Sequence, residues 1–333
     1  MNLVELFNYI RSDPLLWGII AATVFLVYVF SIGGLSIWIE RKWAGLLQSR
    51  LGPTRVGPFG ILQFVADLIK LVSKEDFVPP DGDKKVFKLA PIVLVSTLIA
   101  AGSIIPFSPS LIGSNVNVGI LFLIAMFSIS PIAVFMAGWG SNNKFSLLGA
   151  LRNIGQMLSF EIPLSLSIVA VVVMVGSLRI KEIVQAQDQI WFFALQPLGF
   201  VVFLLAIHAE AGRTPFDMQE SEQELMGGWN VEYSGMRFGL TMVGEYIHLI
   251  LGSMLVVLLY FGGWKSFGFL PPVIWFIIKT NIALVILMWS RWAIPRFRID
   301  QIIDIGWKYL LPLSILNLLI TGALVSMGWF SWI

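Results

Sequence analysis

The chain of 333 residues has no cysteine, only two histidines (His208 and His248), and a charged fraction of 13 %. Without thiols it forms no disulfide and holds no thiolate-bound iron–sulfur cluster or metal. Two histidines leave little for a haem or a multi-ligand metal centre, so no metal site is expected. A net charge of +2 gives no ground for a nucleic-acid partner. Low-complexity linkers and obvious repeats are also missing, which favours a single domain over residues 1–333.

What the chain has instead is apolar length. Hydrophobic residues make up 57 % of it and the mean hydropathy is +0.84, well outside the range of a soluble domain. Runs of about 18 or more apolar residues recur throughout, and such a helix crosses a hydrocarbon core of about 30 Å. A barrel would show short alternating segments. The expected fold is therefore all-α: a polytopic membrane protein with about eight transmembrane helices, at 16–39, 87–105, 118–137, 145–178, 190–209, 237–261, 272–292 and 305–332, plus an interfacial amphipathic helix. The first is read as a retained helix, since no small-residue cleavage site follows it. An even number puts both termini on one side. Of the 22 Lys and Arg residues, 17 lie in or beside the loops after spans one, three, five and seven. Those loops then face the cytoplasm, matrix or stroma, and the termini face outward.

The first of these loops, 40–86, contains LGPTRVGPFGILQFVADLIKLVSKED. Pro58 suits a first helical turn. After it Ile61, Leu62, Phe64, Val65, Leu68, Ile69 and Val72 form a broad apolar face, with Gln63, Asp67, Lys70 and Lys74 as a narrow polar stripe. The segment is too short and polar for a span, which places it in the interface plane. Simple packing on neighbouring helices accounts for it. So does a portal to the lipid phase rimmed by Arg41, Arg50 and Arg55, with the glycines and prolines bending the chain.

The loop at 210–236 opens with AEAGRTPFDMQESEQEL, which holds five carboxylates and one arginine. Thr214 and Pro215 predict a helix start, and Gly227 and Gly228 its end. On that helix Asp217, Glu220 and Glu224 fall within about 60° of one another. A solvated acidic face is the ordinary explanation. Two further carboxylates argue for more: Glu161 midway along the fourth span and Glu245 about two turns inside the sixth. A charge at such depth costs several kcal/mol unless it is neutral, paired or hydrated. Pro163 deprives the Ser159 carbonyl of its helical partner and predicts a kink beside Glu161. Static pairs, Glu161 with Arg152 or Glu245 with Arg237, are the plain alternative. Near the end, Arg291, Arg296, Arg298 and Asp300 suit either interface anchoring or docking of a soluble partner.

Four segments, IERKWAGLLQSRLGPTRVGPFGILQFVADLIKL, LLGALRNIGQMLSFEIPL, EAGRTPFDMQESEQELMGGWNVEYSG and RWAIPRFRIDQ, together resemble the quinone-chamber membrane subunit of proton-pumping NADH:quinone oxidoreductases, the respiratory complex I family. The likeness runs nearly end to end. It implies a quinone tunnel whose mouth is formed by Arg41, Trp43, Arg50, Arg55, Phe59, Gln63, Asp67 and Lys70. It also implies a proton-coupling path through Glu161, Glu210, Asp217, Glu220, Glu222, Glu224, Glu232 and Glu245, and docking residues Arg213, Arg291, Arg296, Arg298 and Asp300. A protein of this kind would hold no catalytic residue or cofactor of its own. Quinone is the implied substrate, with flavin and iron–sulfur clusters in partner subunits. The implied partners are peripheral quinone-site and iron–sulfur subunits, small membrane subunits, antiporter-like subunits and the lipid bilayer. The implied setting is an energy-transducing membrane such as a bacterial inner membrane. Two departures stand out: Gly212 replaces the family's usual Asn before Arg213, and Gln219, Glu220, Ser221, Glu222 replace Pro-Glu-Ala-Glu. A free-standing proton or cation transporter and the equivalent subunit of a membrane-bound hydrogenase are the competing readings. Against the transporter, no paired interrupted helices or inverted halves are found.

Overall fold

The computed structural model describes residues 14–114, 116–217, 226–265, 268 and 270–330. Helix α1, Pro14–Leu47, runs on past the expected span end at residue 39. Nothing in LSIWIERKWAGLL breaks it before the turn at Gln48, so Glu40, Arg41 and Trp43 are helical. A single 3-10 turn, Pro58–Gly60, precedes α2, Gln63–Ser73. The regular helix thus begins later than Pro58. Gly57, Phe59 and Gly60 all have positive φ, a left-handed backbone that no α-helix accommodates. A Cβ on Gly60 would stand 2.3 Å from the Pro53 carbonyl oxygen.

Helix α3, Lys84–Gly102, is capped by the Asp83 carboxylate, which accepts from the backbone N–H groups of Lys85 and Val86. The third span is two helices, α4 (Gly119–Phe127) and α5 (Ser130–Gly140), with Pro131 in the first turn of the second. Helix α6, Lys144–Val175, is capped by Asn143 and ended by Gly176 at φ 74°. Its 32 residues exceed what the bilayer core needs, and it runs unbroken through Pro163. The carbonyl of Ser159 lies under Gly306, where a Cβ would stand 2.9 Å from its oxygen.

Two short helices follow, α7 (Ile180–Gln185) and α8 (Phe192–Leu195), then α9 (Pro197–Glu210). The expected span 190–209 is therefore divided at Gln196, since Pro197 has no N–H to continue α8. Helix α10, Gly235–Tyr260, is buried over most of its length. The last elements are α11 (Pro272–Ala293), α12 (Ile299–Asp304), a π-helical turn (Ile305–Leu310) and α13 (Leu311–Ser326). Among the described residues seven helical segments are long and apolar enough to cross a membrane, with α9 as a shorter apolar helix. The chain is an all-α polytopic membrane protein.

The bundle has α6 and α10 at its centre. Helices α5, α9 and α13 pack on α6, whereas α3, α11 and α2 pack on α10. This leaves α9 and the end of the 210–236 loop between the two central helices.

Residues 214–217 form turns rather than the expected helix start. The carbonyls a helix would use are taken elsewhere. The Ser290 hydroxyl lies 2.7 Å from the Thr214 oxygen, and the Phe297 N–H donates to Pro215 at 3.1 Å. Glu220, Glu222 and Glu224 lie outside the described residues.

Candidate functional site

Two groups of buried polar side chains meet the flanks of α10. The first is centred on Glu40, in the last third of α1 and 5 % exposed. Arg291, near the end of α11, donates to its Oε1 at 2.5 Å, and Arg213 reaches the same oxygen at 3.2 Å. The Tyr246 hydroxyl of α10 donates to Oε2 at 2.6 Å, with the Arg213 guanidinium 4.8 Å over the Tyr246 ring. A buried carboxylate held by two arginines and a phenol is ionised and geometrically fixed. Glu40 and Tyr246 were not singled out from the sequence. The available signal was the unbroken helical sequence around Glu40, which carries it back into the bundle. Arg213 and Arg291, expected on a docking surface, turn inward to this group. Arg296, Arg298 and Asp300 are exposed.

Beside it lies the segment expected to form the portal. Arg41 donates to Asp67 at 2.6 Å, and the Gln63 amide donates to the other Asp67 oxygen at 3.2 Å. These three residues tie α2 to α1. The Trp38 indole N–H donates to the Phe59 carbonyl at 3.2 Å, while the Phe59 ring is 78 % exposed on its left-handed turn. Trp43 faces Trp289 of α11 with ring centroids 6.5 Å apart. These two, with Glu40 and Trp292, line a seam of about 10 Å³. Arg50 bonds Gln48, and Arg50, Arg55 and Lys70 are exposed. Helix α2 turns Leu62, Val65, Leu68, Ile69 and Val72 outward. It both packs on its neighbours and presents an apolar face, so the two readings of this segment are not exclusive. The segment therefore shows an exposed apolar face beside the Arg41–Asp67 pair.

The second group is acidic. Glu161 of α6 is half-buried and shares a hydrogen bond with the Ser128 hydroxyl at the break between α4 and α5. Glu210, the last residue of α9, is 5 % exposed and near enough to Glu161 for their charges to repel. Glu210 and the half-buried Glu245 line one cavity of about 30 Å³ with His248, Ser130, Asn153 and Trp229. No lysine or arginine forms an ion pair with Glu161 or Glu210 among the described residues.

The expected static pairs are not what hold these acids: Arg237 pairs with Asp76 at 3.0 Å. Asp217 is buried in an ion pair with Arg296 at 2.9 Å. Glu232 accepts from the Asn143 amide at 2.6 Å and lines a separate cleft with Asp81 and Lys144. The structure thus brings Glu161 and Glu245 to Glu210, while Asp217 and Glu232 have partners of their own. Outside the spans, the Ser177 hydroxyl and then Arg179 hold the exposed Glu182 carboxyl below the usual carboxylate range.

A helical membrane protein with acids gathered in its interior and an exposed apolar helix face beside a charged pair has the build of a membrane subunit of an energy-converting complex. The NADH dehydrogenase family profile matches residues 19–322, and the chain belongs to that family. It is 44 % identical over 315 residues to the H subunit of NADH-quinone oxidoreductase from Brevibacillus brevis, covering 93 % of this chain and 94 % of that one. Its counterpart in Carboxydothermus hydrogenoformans, of the same name, is 43 % identical, with 91 % and 88 % covered. The H subunit of F(420)H(2) dehydrogenase from Methanosarcina acetivorans is 46 % identical, with 85 % and 86 % covered.

Proposed function

We propose that this chain is the membrane subunit of a proton-translocating quinone oxidoreductase of complex I type. It guides quinone to the enzyme and relays the consequence of its reduction to proton-pumping subunits. The observation that carries the reading is that Glu210 and Glu245 line one small cavity while Glu161 lies within electrostatic reach of Glu210, with Glu161 and Glu210 in no ion pair with a described lysine or arginine. Carboxylates at such depth without cationic partners are suited to exchanging protons.

The tunnel mouth is assigned to Arg41, Trp43, Arg50, Arg55, Phe59, Gln63, Asp67 and Lys70, with the 40–86 segment on the cytoplasmic side. Its missing walls come from peripheral quinone-site and iron–sulfur subunits. The acidic 210–236 loop lies on the same side, and its Glu220, Glu222 and Glu224, with Asp217 and Glu232, extend the path toward those subunits. Arg296, Arg298 and Asp300 form the docking rim. The chain is not catalytic alone: flavin and iron–sulfur chemistry belong to partners, and antiporter-like and small membrane subunits receive the signal. It sits in a bacterial inner membrane with both termini outside. Relatives named for NADH and for F420H2 match over nearly the same length, which supports placing the choice of electron donor in other subunits. Family membership favours a subunit of a complex over a free-standing transporter.

The test is purification of the tagged chain from its native membrane, with and without Glu161→Gln. Co-isolation with iron–sulfur and antiporter-like subunits is expected for both. The variant is expected to assemble and to lose proton-coupled quinone reduction. Isolation of the chain alone, with ion transport in liposomes, contradicts the assignment.

A further inference from the structure

His248 plays no part in the proposed proton path. It lies three residues after Glu245 on α10, is 5 % exposed, and stacks on Phe127 with ring centroids 4.9 Å apart. The stack fixes the imidazole plane, and its Nε2 stands 3.8 Å from Glu210 Oε1. Neither that nitrogen nor Glu210 Oε2 has a hydrogen-bond partner among the described residues. The Ser130 hydroxyl and the Trp229 indole N–H also have none. All four residues line the cavity of about 30 Å³. Each buried polar group left unpaired is costly, and four facing one space of water size mark a polar, hydratable site rather than a packing defect.

We propose that His248 and Glu210 hold one proton between them across this cavity, and that the pair carries the acidic path from α9 to α10. The proposal rests on the proton-coupling role given to Glu161, Glu210 and Glu245. The exchange conserves atoms and charge. The O–H bond of the Glu210 carboxyl breaks, a bridging water accepts that proton and releases one of its own, and an N–H bond forms at His248 Nε2. Neutral acid and neutral imidazole become carboxylate and imidazolium, and no electron moves. Other charges facing the pair are Glu161 on α6 and Glu245 on α10 itself. Helices α3 and α5 line the cavity with Leu94, Leu98, Ser130 and Val134, none of them ionisable, and α4 contributes Phe127. Because the pair is neutral overall in both forms, it acts on Glu161 and Glu245 by moving charge between two helices rather than by gaining it.

The experiment uses membranes carrying the complete complex and compares His248→Gln, His248→Phe, Glu210→Gln and the double variant Glu210→Gln/His248→Gln. Phenylalanine keeps the stack on Phe127 and glutamine keeps a polar group, so a packing fault in one is not shared by the other. Both histidine variants are expected to lower the rate of proton translocation by about tenfold or more and to flatten its pH profile. The double variant is expected to be no worse than Glu210→Gln alone, as for groups that act as one unit. If Glu210→Gln is impaired while both histidine variants translocate and titrate like wild type, or if the losses multiply, the pair is overturned. Wild-type translocation in Glu210→Gln and Glu161→Gln alike overturns the carboxylate path and the pair with it.

Discussion

Glu40 and Glu210 are both 5 % exposed, both inside the same bundle, and differ in nearly everything else. Glu40 is gripped by Arg291, Arg213 and Tyr246 at 2.5, 3.2 and 2.6 Å. Glu210 has a histidine at 3.8 Å, another acid nearby and a small cavity. One turn of α10 meets both: Tyr246 bonds Glu40, while Glu245 and His248 line the cavity with Glu210. At about 100° per residue, Glu245 and His248 share one flank of α10 while Tyr246 points to another. Depth alone does not make a carboxylate a proton carrier. On the proposed reading its partners decide: two arginines hold Glu40, whereas no described lysine or arginine pairs with Glu210.

Breaking the fixed side has the largest expected effect. Glu40→Ala leaves two arginines facing each other in the interior, at a cost of about 3–5 kcal/mol. Loss of assembled complex on native gels and a lower Tm are expected. Unchanged assembly would show that Glu40 is not locked as described. The titratable side responds in function instead. Glu210→Gln is expected to leave assembly and Tm near wild type and to cut proton-coupled quinone reduction by about tenfold or more. A Tm loss as large as that of Glu40→Ala would erase the distinction between the sites.

Smaller effects sharpen the portal. Phe59→Trp and Gln63→Trp are expected to raise the apparent quinone KM severalfold while reduction of an artificial acceptor upstream stays unchanged. Equal quinone kinetics would move the passage away from α2. Asp67→Asn removes the partly exposed pair with Arg41 and is expected to cost at most about 1 kcal/mol, less at high salt. Glu182→Gln, at an exposed carboxyl outside the spans, is expected to change neither Tm nor turnover, and serves as the control for charge removal.

Much of this was legible in the sequence. Apolar run lengths located the membrane-crossing helices, though not the break between Phe127 and Ser130, the division at Gln196 or the extension of α1 past residue 39. Glu161 and Glu245 stand out because charge within an apolar run is rare. What was not legible required contacts between distant segments. Glu40 reads as part of a basic loop in IERKW, and only the continuation of α1 to Leu47 and the approach of Arg213 and Arg291 reveal its burial. The turns at 214–217 replace an expected helix start because Ser290 and Phe297, some eighty residues away, take the carbonyls involved. The late start of α2 was closer to hand: Gly57 and Gly60 announce left-handed backbone, but the left-handed turn at Phe59 between them follows no local residue preference.

Infrared difference spectroscopy of the assembled complex during quinone reduction tests the central claim most directly. The carboxylic-acid C=O band is predicted to change on turnover in wild type, and the change is predicted to be lost in Glu210→Gln. An unchanged acid band in wild type, or the same change in Glu210→Gln, would contradict a proton-exchanging role for this carboxylate.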